Sequence, residues 1–115
     1  MKQKWIRIMK RVISSKRESS KEEITMTELE EMRKQNGNIV LLDVRSPQEY
    51  KEGHLNDSIL VPNYEIREKA EKILPDKSVT IIAYCQSGSR SKKAVKILKQ
   101  LGYEQVYSLK GGLNQ

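Results

Sequence analysis

The stretch YCQSGSRS, residues 84–91, contains Cys85, the single cysteine of the chain. A lone cysteine is most often a small buried hydrophobe, but glycine and polar residues directly follow this one. Gly88 permits backbone angles at which successive amide groups point inward and bind an anion. A helix predicted to begin around Ser89 adds partial positive charge, and Arg90 adds a guanidinium that suits oxyanions. The loop therefore favours a thiolate.

The size of this effect indicates which chemistry the loop suits. Lowering a thiol pKa from about 8.5 to about 6.5 raises the thiolate fraction at neutral pH from about 3% to roughly three quarters. Each thiolate becomes roughly tenfold less nucleophilic over the same change, so the rate of attack gains only a few-fold. A thiolate of low pKa is also a better leaving group. The loop suits a cysteine that accepts and releases sulfur better than one that only attacks.

Three charged or titratable residues upstream are predicted to support the site without reacting. Asp43 and Arg45 end a predicted strand, where a charged pair orders the following loop. His54 is the only histidine, and a thiolate stabilised by backbone amides needs no general base, so we expect it to make structural hydrogen bonds. One cysteine and one histidine are too few for a zinc site. The sequence predicts neither a metal nor an organic cofactor.

The elements that position Cys85 are alternating strands and helices. Near-continuous apolar runs at 39–44 and 78–84 are typical of strands covered on both faces. Short links between strands and helices predict an α/β domain with a mostly parallel five-stranded sheet and helices on both faces. Ligands bind at the carboxyl ends of such strands, and Cys85 follows one of them. The five predicted strands are residues 24–26, 39–44, 58–61, 78–84 and 105–109.

Helical patterns fill the intervals between the strands. The sequence T-x-x-E at Thr27–Glu30 predicts a capping box that opens the first helix. Pro47 suits the first position of the second helix, and Gly102 suits the end of the last. The inward-facing residues are predicted to be Leu29 and Met32, then Ile66, Ala70, Ile73 and Leu74, and finally Ala94, Val95, Leu98 and Leu101.

The net charge of +7 lies mostly outside the predicted domain. Residues 1–23 carry eight Lys or Arg and three Glu, 8 − 3 = +5, whereas residues 24–115 carry fourteen and twelve, 14 − 12 = +2. The domain lacks a basic stripe interleaved with aromatic residues, so no nucleic-acid partner is expected. A single cysteine suits a reducing compartment, which favours a cytoplasmic protein. The longest aliphatic run, residues 39–42, is far shorter than the roughly 18 residues of a membrane span.

Residues 1–13 have the spacing of a short basic amphipathic helix, and residues 14–23 have the composition of a solvated linker. Three roles are open for this leader. It can make weak contact with a membrane surface, which would make the protein peripheral. It can instead dock on its own domain, or form a frayed terminus.

Three motifs in the same order resemble the rhodanese family, the single-domain sulfurtransferases. They are LLDVRSPQEYKEGHL, YCQSGSRS and VYSLKGGL, and the resemblance runs from Ile24 to Leu113. It implies the small rhodanese-like α/β fold. It further implies that Cys85 carries sulfur as a persulfide between a small anionic sulfur donor and a thiol or protein acceptor. The implied cradle is Gln86, Ser87, Gly88, Ser89 and Arg90, supported by Asp43, Arg45, His54 and Ser91.

The resemblance has departures, and two other functions stay open. Gln86 stands where some thiosulfate-active members carry Arg, which argues against thiosulfate as the physiological donor. Asn56 and Ser58 replace a common Gly and Ala, and the chain ends GGLNQ where the family commonly has GGxxxW. The spacing C-x4-R is one residue shorter than in related phosphatases. The alternatives are a small cysteine-based phosphatase or arsenate reductase, and a non-catalytic binding module.

Overall fold

A computed structural model describes residues 22–35 and 37–114. Its strands are β1 (Glu23–Ile24), β2 (Ile39–Asp43), β3 (Ile59–Leu60), β4 (Thr80–Tyr84) and β5 (Gln105–Leu109). Its α-helices are α1 (Met26–Gln35), α2 (Pro47–Glu52), α3 (Ile66–Ile73) and α4 (Ser89–Gln100). Short 3-10 turns at Asn63–Glu65 and Gly112–Asn114 complete the described part of the chain.

The five strands form one sheet in the order β1-β5-β4-β2-β3, and every neighbouring pair is parallel. Strand β4 lies at the centre, with Leu42 of β2 beside Ala83 and Ser108 of β5 on its other side. Because all strands run the same way, their carboxyl ends meet at one edge. The predicted α/β fold with a five-stranded sheet is confirmed, and the loop containing Cys85 leaves the middle of that edge.

Helices cover both faces of the sheet, as predicted. Successive side chains of a strand point to opposite faces, so Ile81 and Ala83 pack against α3 and α4 while Ile82 and Tyr84 pack against α1. On the first face, Ile66, Ala70, Ala94, Val95 and Leu98 are buried. On the second, Ile24, Leu29 and Met32 are buried. The two helix layers bury β4 on both faces.

The first helix starts two residues earlier than the sequence pattern suggested. The amide of Thr25 donates to Glu28 Oε1 at 2.8 Å, and the amide of Glu28 donates to Thr25 Oγ1 at 3.1 Å. The capping box predicted at Thr27–Glu30 is therefore wrong, because T-x-x-E occurs twice in this segment and the first copy caps the helix. The predicted strand at 24–26 is shortened accordingly, since Met26 already belongs to α1.

Ile73 is a second correction, since it is 40% exposed rather than part of the core. Leu74 leaves the helix with φ −125° and ψ 77° and is itself buried. Tyr103, also buried, places its hydroxyl 3.1 Å from the carbonyl oxygen of Ala70. Leu74 and Tyr103 therefore fill the core at the end of α3.

The amphipathic helix and linker predicted before the domain lie outside the described residues, apart from residues 22 and 23. Within residues 22–35 and 37–114, no helix is long and apolar enough to cross a bilayer.

Candidate active site

Cys85 follows the last residue of β4 and is fully buried. Three residues later Gly88 adopts φ 109° and ψ −15°, a left-handed conformation that glycine adopts without steric cost. Gly88 is the N-cap of α4, which begins at Ser89 as predicted. The turn folds the chain back over the sulfur, and the amino end of a twelve-residue helix lies directly behind it.

Hydrogen-bond donors surround the sulfur atom. The Gly88 amide donates to Sγ at 3.1 Å, and Oγ of Ser91 lies 3.7 Å from Sγ. Burial raises the pKa of the Cys85 thiol, but hydrogen bonds from the Ser91 and Gly88 amides, the Ser91 hydroxyl and the Ser87 amide together outweigh it. The net pKa of Cys85 lies below the ordinary value of a thiol. The direction agrees with the thiolate predicted from the sequence.

Arg90 forms a two-pronged ion pair with Glu49 of α2. Its two terminal nitrogens donate to the carboxylate oxygens at 2.7 and 3.0 Å. These bonds, together with the smaller effect of the nearby Cys85 sulfur, raise the pKa of Arg90. The guanidinium thus ties the cysteine loop to α2. The contact between Arg90 and an anionic donor, which the resemblance implies, stays a prediction.

Sequence reasoning missed Glu49, although a signal for it was present. Ser46 and Glu49 form the capping box of α2: the Ser46 amide donates to Glu49 Oε1 at 3.0 Å, and the Glu49 amide donates to Ser46 Oγ at 3.2 Å. Hydrogen bonds from Arg90, then from the Ser46 amide, lower the pKa of Glu49 from 4.5 to about 2. The pattern S-P-Q-E predicts the cap but not the partner 41 residues away.

The lowered pKa of Glu49 predicts how the free energy of unfolding changes at acid pH. Its folded pKa is depressed, so its contribution is complete above about pH 4.5 and is lost as the pH falls towards about 2. We expect Glu49→Gln to lower the free energy of unfolding at pH 7 by about 1 kcal/mol, a value reduced for solvent screening. Urea unfolding at several pH values should show the difference from wild type shrinking between pH 4.5 and 2. The exposed Glu104→Gln is the control, and a pH-independent difference would contradict the prediction.

Asp43 and Arg45 form a buried pair at the end of β2. Both the main-chain amide and Nε of Arg45 donate to Asp43 Oδ1 at 3.0 Å, and one terminal nitrogen donates to Oδ2 at 2.7 Å. The same nitrogen donates to the carbonyl oxygen of Gly53 at 2.6 Å. The pair therefore connects the end of β2 to the end of α2, which is the loop-ordering geometry expected of it.

His54 is exposed and bonds locally. Its Nδ1 donates to the carbonyl oxygen of Tyr50 at 2.8 Å, and its ring stacks on the Tyr50 ring with the centroids 3.6 Å apart. Tyr50 in turn donates its hydroxyl hydrogen to the carbonyl oxygen of Ser58 at 2.7 Å. These contacts are those of a structural residue at the end of α2.

Residues 112–114, which follow β5, are hydrogen-bonded to the cysteine loop. The Leu113 amide donates to the Cys85 carbonyl at 3.1 Å, and the Asn114 amide donates to the Gln86 carbonyl at 3.0 Å. The side chains of Gln86 and Asn114 are also hydrogen-bonded, at 2.7 Å. Gly112, with φ 56°, brings the backbone of this segment close to the loop. The motif VYSLKGGL stands out in the sequence, but its contact with the loop is not predictable from the pattern.

No group of three or more His, Cys, Asp and Glu side chains within residues 22–35 and 37–114 is arranged to hold a metal ion. The groups that the described residues bring to the site are the Cys85 sulfur, the hydrogen-bond donors around it and the Arg90–Glu49 pair. Together they can generate an anionic sulfur and hold it in place.

Several known proteins are similar to this chain in sequence. The family model described as "Rhodanese-like domain" matches residues 25–115. Thiosulfate sulfurtransferase PspE of Escherichia coli (strain K12) is 38% identical over 72 residues, which cover 63% of this chain and 68% of that protein. A tRNA uridine(34) hydroxylase of Buchnera aphidicola subsp. Baizongia pistaciae is 40% identical over 83 residues, which cover 69% of this chain but only 27% of that protein.

The fold is similar to a solved structure as well. The crystal structure of a rhodanese-related protein from Thermoplasma volcanium has a TM-score of 0.69 and 36% sequence identity. The superposition covers 79% of this chain and 85% of that one.

Proposed function

Because the chain belongs to the rhodanese-like domain family, we propose that it is a sulfurtransferase that moves a sulfane sulfur from a donor through a persulfide on Cys85 to a thiophilic acceptor. One observation carries the proposal: the Cys85 sulfur is buried at the end of the central strand and accepts a hydrogen bond from the Gly88 amide at 3.1 Å. That arrangement favours an anionic sulfur both as attacking group and as leaving group.

The reaction takes two steps, and both use the same sulfur atom. In the first, the Cys85 thiolate attacks the sulfane sulfur of the donor, a new S–S bond forms, and the bond within the donor breaks. With thiosulfate the leaving group is sulfite. In the second, the acceptor attacks the outer sulfur of the persulfide, and the Cys85 thiolate leaves. With cyanide the product is thiocyanate. No electrons are gained or lost overall.

The donor and acceptor are proposed by chemical class. Thiosulfate or a persulfide serves as donor, cyanide serves as acceptor in an assay, and a thiol or a protein serves in the cell. Since the Gln86 side chain is bonded to Asn114 and offers no full charge, a persulfide donor fits the loop better than thiosulfate. A cytoplasmic location belongs to the same proposal, and weak contact of residues 1–13 with a membrane surface stays one of the three roles open for that segment.

We do not propose hydroxylase activity for this chain, because its match to the tRNA uridine(34) hydroxylase of Buchnera aphidicola covers only 27% of that protein. The phosphatase and binding-module alternatives have less support. The loop has the compact C-x4-R spacing, and its nucleophile is present with a lowered pKa.

Intact mass spectrometry tests the proposal directly. We expect the reduced protein to gain the mass of one sulfur atom when it is incubated with thiosulfate or a low-molecular-weight persulfide. Cyanide should remove that mass and yield one equivalent of thiocyanate. A polysulfide-free buffer without donor is the control. If neither donor adds a sulfur that cyanide removes, the proposed function is wrong.

A further inference from the structure

Two buried serine hydroxyls lie beside the cysteine sulfur. Ser91 is in the first turn of α4 and Ser108 is in β5, and both residues are fully buried. Their Oγ atoms are 2.6 Å apart. Oγ of Ser91 also lies 3.1 Å from the carbonyl oxygen of Gly88 and 3.7 Å from Sγ of Cys85. The two hydroxyls form a chain that leads from the sheet to the sulfur.

Counting hydrogens fixes the direction of this chain. Each hydroxyl has one hydrogen to donate and two lone pairs to accept. Within the described residues, the Ser91 hydroxyl is the one hydrogen-bond partner of Ser108 Oγ, whereas Ser91 can also donate to the Gly88 carbonyl. Buried hydroxyl hydrogens are almost always used. Both hydroxyl hydrogens make hydrogen bonds only if Ser108 donates to Ser91 Oγ and Ser91 donates to a different acceptor, such as the Gly88 carbonyl.

Ser91 can redirect its hydrogen without leaving the Gly88 carbonyl unpaired. That carbonyl also accepts the Lys92 amide at 3.1 Å. When Cys85 is a thiol, the hydrogen of Ser91 can remain on the carbonyl. When Sγ carries negative charge, rotation about one bond brings the hydrogen to Sγ, where the charge strengthens the bond. No heavy atom has to move.

We propose that Ser108 is a positioning residue: by donating its hydrogen to Ser91 Oγ, it orients the Ser91 hydroxyl and makes that hydroxyl a stronger donor to Sγ of Cys85 whenever Sγ is negatively charged. Without Ser108, the Ser91 hydroxyl lacks the donor that fixes its lone pairs. Among the described residues, Ser108 is hydrogen-bonded to Ser91 and not to Sγ, so it acts through Ser91. This proposal adds a residue to the proposed sulfurtransferase site. It rests on the proposed function in one respect, which is that Cys85 reacts as a thiolate.

The test is the pH dependence of alkylation of Cys85 by iodoacetamide in the reduced, sulfur-free full-length protein. We expect Ser91→Ala to raise the midpoint by about 1–2 pH units, the usual effect of one charge-assisted hydrogen bond. Ser108→Ala should raise it by about half a unit or less, because losing a cooperative partner weakens the Ser91 hydrogen bond without removing it. The double variant should match Ser91→Ala alone, because the second change then removes nothing more.

Two comparisons separate this role from a packing effect. Ser108→Thr keeps the hydroxyl and Ser108→Val does not, whereas both add about the same volume, so only the Val variant should raise the midpoint. Thr80→Val removes a buried hydroxyl at the opposite end of β4, where it bonds Gln105 at 2.8 Å, and should leave the midpoint unchanged.

The proposal is overturned if Ser108→Ala leaves the midpoint at the wild-type value, if its effect adds fully to that of Ser91→Ala, or if Thr and Val at position 108 behave alike. Because no sulfur donor is present, these outcomes are independent of whether the protein forms a persulfide. If the variants show the expected alkylation midpoints but the wild-type protein never forms a persulfide, the proposed function is refuted and the role of Ser108 stands.

Discussion

Cys85→Ser is expected to abolish transfer of sulfur from donor to cyanide while the domain stays folded. Cys85 is fully buried, and a serine hydroxyl fits the same space and can still accept the Gly88 amide. A hydroxyl is not ionised at neutral pH and cannot hold a sulfane sulfur. We expect activity to fall below detection and the free energy of unfolding to change by no more than about 2 kcal/mol.

Three measurements belong to this prediction: thiocyanate formation, intact mass after incubation with donor, and urea unfolding. The variant should show no thiocyanate, no added sulfur and a cooperative unfolding transition. Thr80→Val is a suitable control, because it alters β4 at the end away from the loop. Thiocyanate formation by Cys85→Ser at a rate near that of wild type would mean that the reaction does not pass through this cysteine.

The local parts of this site could be predicted from the sequence. The apolar run of β4, the turn at Gly88 and the start of α4 at Ser89 depend on residues within a few positions of one another. Such patterns are governed by backbone sterics and helix capping, which short segments express on their own. The donors around the Cys85 sulfur belong to the same short segment, so the lowered pKa was predictable too.

The supports of the loop could not be predicted in the same way. Glu49 meets Arg90 across 41 positions, Asn114 meets Gln86 across 28, and Ser108 meets Ser91 across 17. These contacts depend on the strand order β5-β4-β2, which periodicity does not specify. The capping box at Thr25 was missed for a different reason, since two overlapping copies of one pattern compete and sequence alone does not choose between them.

The strand order also explains how the loop after β4 is held by contacts from its two neighbouring strands. Its neighbour β2 leads into α2, which supplies Glu49, and its other neighbour β5 supplies Ser108 and leads into the turn at Gly112. Contacts therefore reach the cysteine loop from both neighbours of β4. For the proposed sulfur transfer, we expect a loop held by these contacts to need little reorganisation between the thiolate and the persulfide.

Gly112→Ala is expected to disrupt this support strongly. A Cβ at this position would lie 2.3 Å from the carbonyl oxygen of Cys85 and 2.6 Å from that of Gln86. Both contacts are with backbone, so the loop itself has to move. The φ of 56° adds about 1 kcal/mol for a non-glycine residue. We expect a loss of about 3–5 kcal/mol of stability and about a hundredfold loss of sulfur transfer.

Gly37→Ala is the matched control, because a Cβ there would meet nothing within 4 Å. It should change the free energy of unfolding by less than about 0.5 kcal/mol and leave transfer unaffected. Urea unfolding and the rate of thiocyanate formation should be measured for both variants. If Gly112→Ala matched Gly37→Ala in stability and activity, the turn would not hold the loop. If it lost stability but kept the alkylation midpoint and the transfer rate of the folded fraction, the turn would stabilise the domain without aligning the amides on Cys85.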